Sequence, residues 1–88
     1  MTPSGVYVCS HVLNRTRAVK LVVHHSDGMW QLTCGEHDHP KEEPDLHFLH
    51  TAHVLNGQPA LKMIIEKTKR GCLSEESSGI WQTYPHDD

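Results

Sequence analysis

The sequence predicts an α+β fold: a small antiparallel sheet built from β-hairpins, with one main helix packed on it. Three stretches carry that expectation. Residues 18–34 alternate apolar and polar positions on either side of "SDG", the pattern of a hairpin whose Gly28 is free to take positive φ. "NGQPALKMIIEKTKRG" at 56–71 sets Leu61, Ile64, Ile65 and Thr68 at helical spacing behind Pro59, which suits a first helical position. "CLSEESSGIWQTY" at 72–84 closes the pattern as two short strands joined by "ESSG", with Trp81 a core aromatic.

The elements follow in order. "GVYVC" is short, β-branched and aromatic, a first strand over residues 5–9. In "SHVLNR", Ser10 is suited to cap a single helical turn and Asn14 to end it. In "AVKLVVHH", Val19, Leu21 and Val23 alternate with Lys20, Val22 and His24, which predicts that the odd positions face the core. The return strand "MWQLTC" puts Trp30, Leu32 and Cys34 on one face. "LHFLHTAHVL" carries both periods, and a short strand at 46–49 followed by a helical turn is expected. Lys67, Lys69 and Arg70 complement the dipole at the end of the main helix, and Gly71 ends it.

An 88-residue chain makes one small α+β domain, residues 1–88, because a second core would have too little chain around it. A net charge of −3 makes nucleic acid and anionic membrane poor partners. No stretch approaches the ~20 apolar residues that span a bilayer. "MTPSGVYVCS" lacks the regions of a secretion signal, so a cytoplasmic domain, monomeric or weakly dimeric, is expected. Three cysteines, an odd number, fit free thiols in a reducing compartment better than a disulfide framework. Nine histidines swing the net charge from −3 toward about +6 in mild acid, so solubility and binding should depend on pH.

Two cysteine–histidine clusters are the candidate site. "YVCSHV" holds Cys9 and His11; "LTCGEHDHP" holds Cys34, His37 and His39. Zinc takes four tetrahedral ligands, usually from two close pairs of thiolate and imidazole. Cys9, His11, Cys34 and His39 (or His37) would supply them, Cys9 and His11 pointing the same way if they are i and i+2 on a strand. Against this, Cys-x-His is not a familiar knuckle spacing, and a strand leaves little freedom to close a tetrahedron. Buried cysteines in apolar strands and solvated histidines in a charged loop explain the same residues without metal. The expectation is therefore no cofactor, with one structural zinc as the alternative. His47, His50 and His53 read as a mixed polar face, and His24 and His25 as exposed polar residues at a strand end.

No catalytic residue is assigned. The chain has no phosphate-cradling glycine loop, no nucleophile elbow and no carboxylate pair spaced for acid–base work. A thiol enzyme built on Cys34 ranks third, behind a binding domain and a zinc-stabilised one. The binding reading rests on "GEHDHPKEEPD", where Glu36, Asp38, Glu42, Glu43 and Asp45 face only Lys41. Such a cluster beside a rigid hairpin would orient a protein partner with a basic surface.

"VCSHVL" at 8–13, "DGMWQLTCGEHDH" at 27–39 and the helix start "QPALKMI" at 58–64 resemble a family of small uncharacterised bacterial domains related to immunity proteins of toxin systems. The resemblance implies an α+β architecture, no known catalysis and a protein-binding role, and supplies no functional residues to carry over.

Overall fold

Branched apolar residues concentrate in the central strands, GVYV and LVVH, and side-chain alternation decides which face of the sheet is covered. The computed structural model describes residues 3–35 and 46–85. Within them the order is β1 Gly5–Val8, α1 Ser10–Leu13, β2 Leu21–His24, β3 Trp30–Thr33, β4 His47–His50, α2 Thr51–Gly57, α3 Leu61–Lys67, β5 Cys72–Ser77 and β6 Ile80–Pro85. The α+β class and both hairpins stand as expected. The strands form one six-stranded sheet in the order β4-β1-β3-β2-β5-β6.

Three expectations are corrected. The sheet is mixed, not antiparallel throughout, because β1 and β3 pair in parallel with Tyr7 opposite Gln31 and Val8 opposite Leu32. A main helix is not what packs on it: α2 and α3 are seven residues each, separated by Gln58, Pro59 and Ala60. Pro59 thus lies in the connection, and α3 ends at Thr68 before Gly71 is reached. The alternation expected for β2 is also corrected. Val22, expected on the polar face, stands opposite Leu32 and is fully buried, and His24 stands opposite Trp30, while Val19 and Val23 are buried as expected and Leu21 only partly. "LVV" offers apolar residues in both phases, so pairing with β3 chose between them.

One face of the sheet and the helices enclose the core. Val6, Val8, Val22, Trp30 and Leu32 meet Val12, Val54, Leu61 and Ile65 there. Trp81 packs against this cluster only partly buried, because β6 is an edge strand. A chain of hydroxyls ties the far end of the sheet to α3. Thr68 Oγ1 donates to the Ile64 carbonyl at 2.7 Å and lies 2.6 Å from Ser74 Oγ, which is 2.8 Å from Thr83 Oγ1. The other sheet face carries Tyr7 and Phe48, paired edge to face with centroids 5.8 Å apart. No helix among the described residues is long and apolar enough to cross a membrane.

Candidate metal centre

Parallel pairing of β1 and β3 brings the C-terminal ends of two strands together. Val8 stands opposite Leu32, so Cys9, one residue past Val8, and Cys34, two past Leu32, leave the sheet at the same end. Both are buried, each 1% exposed. Cys9 keeps extended backbone, φ −78° and ψ 167°, as the N-cap of α1; Ser10 is the first helical residue and does not cap it with its side chain. His11 therefore lies in a helical turn, not on a strand. That corrects the strand geometry expected for Cys-x-His and removes the objection that a strand would hold the pair too stiffly.

The turn is fixed in place by its own exit. The Thr16 N–H donates to the His11 carbonyl at 2.9 Å and the Arg15 N–H to the Val12 carbonyl at 3.1 Å. With Arg15 at φ 58°, these bonds make a Schellman closure of a very short helix. Thr16 Oγ1 adds a third bond to the same His11 carbonyl at 3.1 Å. These bonds fix the backbone of the turn that carries His11.

Cys9, His11 and Cys34 present their ligand atoms within 4.8 Å of one another. His11 Nδ1 lies 3.7 Å from Cys34 Sγ. A tetrahedral zinc site, with metal–sulfur bonds of ~2.3 Å and metal–nitrogen bonds of ~2.0–2.1 Å, separates its ligand atoms by about 3.5–3.8 Å. The Cys34–His11 pair already has that spacing, and Cys9 is within a small side-chain adjustment of it.

Burial pushes the Cys9 thiol above its ordinary value, and the neighbouring Cys34 adds to the rise; backbone hydrogen bonds from Val12 and Cys34 work the other way. Metal-free Cys9 is accordingly a neutral thiol at pH 7. Arg17 donates from Nη1 to Cys34 Sγ across 3.9 Å, placing positive charge beside that sulfur. Nothing in the local sequence signalled Arg17, because its approach depends on the closure after α1.

Of the four ligands read from the sequence, three are brought together. His39, with His37, lies outside the described residues, as do Glu36, Asp38, Glu42, Glu43 and Asp45 of the acidic segment. His47 and His50 lie on β4 and His53 on α2, so the three share no helical face. His24 is not a free polar residue at a strand end: it stacks on Trp30 at 3.8 Å, and its Nδ1 is 3.1 Å from the Thr68 carbonyl. Cys72 is half-buried on β5, at the opposite side of the sheet from β1.

Comparison with known proteins finds no matching family model, no matching curated protein and no matching solved structure. The resemblance to immunity-related bacterial domains rests on its short motifs alone.

Proposed function

We propose that the chain is a small metal-stabilised domain in which Cys9, His11 and Cys34 hold one zinc ion. The observation that carries this is the convergence of two thiols and one imidazole within 4.8 Å, from two segments more than twenty residues apart in sequence. Two sulfurs and a nitrogen are a donor set that suits zinc rather than magnesium or calcium, which take oxygen. The metal would join the end of β1, the first turn of α1 and the end of β3. In a domain of this size such a link supplies stability that apolar burial alone does not.

A fourth ligand completes a structural site, and His39, five residues after Cys34, is the candidate by spacing in the sequence. Metal analysis of protein purified in zinc-containing medium without an affinity tag tests the reading. One zinc per chain is expected, falling well below one in Cys34→Ser. Zinc content that follows the histidines and ignores Cys34 would overturn it.

A further inference from the structure

A cavity of about 340 Å³ opens between α1, the segment that follows it, and the β4–α2 corner. Its size lies at the lower end of the range for small-molecule sites. Val12, Leu49 and Val54 give it apolar walls, and Arg15, Arg17 and His53 bring three basic side chains to its rim. Among the described residues no acidic side chain lines it. Gln58 is not available to a ligand's charge. Its side-chain oxygen accepts from the Val19 N–H at 2.9 Å and its amide donates to the Val19 carbonyl at 3.0 Å, which makes that wall rigid.

Arg15 is the informative residue. It occupies the left-handed position of the Schellman closure, φ 58°, where glycine is strongly favoured and a side chain is costly. An arginine kept there places its guanidinium at the cavity. The guanidinium carbon lies 4.0 Å from where a side chain at Gly57 would begin, which puts it beside another residue of the cavity wall. Arg15 lines the cavity and makes no ion pair or side-chain hydrogen bond among the described residues.

We propose that this cavity binds a small carboxylate with an aliphatic tail. The carboxylate would take a two-pronged contact from Arg15, supported by the charge of Arg17, and the tail would lie against Val12, Leu49 and Val54. The inference does not require zinc: Cys9, His11 and Cys34 do not line the cavity, although Arg17 both lines it and approaches Cys34 Sγ.

Octanoate is the probe, with octanol and inorganic sulfate as controls, on the full chain followed by methyl NMR and thermal melting. Octanoate should move the methyl signals of Val12, Leu49 and Val54 saturably and raise Tm. Octanol should bind at least tenfold more weakly, and sulfate should leave the methyl groups unmoved. Arg15→Gly relieves the backbone, so its Tm without octanoate should equal or exceed that of the wild type, yet its octanoate affinity should fall about tenfold or more. Arg15→Lys, which keeps the charge and loses the fork, should fall between. Equal octanoate affinity in Arg15→Gly would overturn the proposal, and so would octanoate shifts confined to the exposed Phe48 face.

Discussion

Replacing Cys34 by serine separates what the sulfur does for the core from what it does for a metal. The side chain is 1% exposed, 3.7 Å from His11 Nδ1 and within reach of Arg17. Without metal, a buried hydroxyl here keeps two polar neighbours, so the exchange should cost about 1–2 kcal/mol. For a domain of 60–100 residues that lowers Tm by roughly 4–16 °C. Zinc at 100 times its Kd stabilises the native state by about 2.7 kcal/mol, equivalent to roughly 10–20 °C. The assay is far-UV circular dichroism melting under reducing conditions, each protein measured in buffered zinc and in chelator. The wild type should show the full zinc-dependent rise and Cys34→Ser almost none. Since the variant keeps all nine histidines, it also controls for imidazole binding elsewhere. A zinc-dependent rise of equal size in both proteins would refute the reasoning.

Cys9 sets a pH dependence in the chelated protein. Its folded thiol holds its proton above the ordinary value of 9.0, so this contribution to stability is complete below about pH 9 and is lost as pH rises through the folded value. Chelated wild type should therefore lose more Tm between about pH 8 and 10 than Cys9→Ala does, and equal slopes would argue against a raised Cys9. Zinc affinity should run in the opposite direction, rising with pH through neutrality because binding releases thiol protons, as a competition titration with a chromophoric chelator would show. Trp30→Ala removes a ring that is 8% exposed and stacked on His24, at a cost of about 3–5 kcal/mol. That is a large share of the ~4–13 kcal/mol available to a domain this long, and a melt that loses its cooperative transition or falls by at least 12 °C is expected.

Hairpins were legible because both their turns and their strand patterns are local. "SDG" and "ESSG" each sit where a glycine takes positive φ, 94° at Gly28 and 81° at Gly79. The parallel pairing of β1 with β3 was not, because nothing within either strand says which neighbour it will find. The strand and helical turn expected in "LHFLHTAHVL" are β4 and the start of α2, but the helix runs on to Gly57, further than the single turn expected. The main helix expected to start at Pro59 starts instead at Leu61, with Gln58, Pro59 and Ala60 in the connection from α2. The candidate site was half legible. Cys9, His11 and Cys34 stood out as chemistry-bearing residues, but their convergence depends on the parallel register and on a one-turn helix. Cys-x-His looked wrong for zinc on a strand; at the start of a helical turn it is a workable pair. Arg15 and Arg17 passed as ordinary surface charges, since only the Schellman closure after α1 reveals where they go.

X-ray absorption at the zinc edge tests the central claim most directly, because it counts the atoms around the metal by element. Two sulfurs at about 2.3 Å, with imidazole nitrogen at about 2.0–2.1 Å, are the result expected for Cys9, Cys34 and His11. The sulfur shell should fall to one in Cys34→Ser reconstituted with excess zinc. A shell made only of nitrogen and oxygen in the wild type would contradict the account and return Cys9 and Cys34 to the core as ordinary buried thiols.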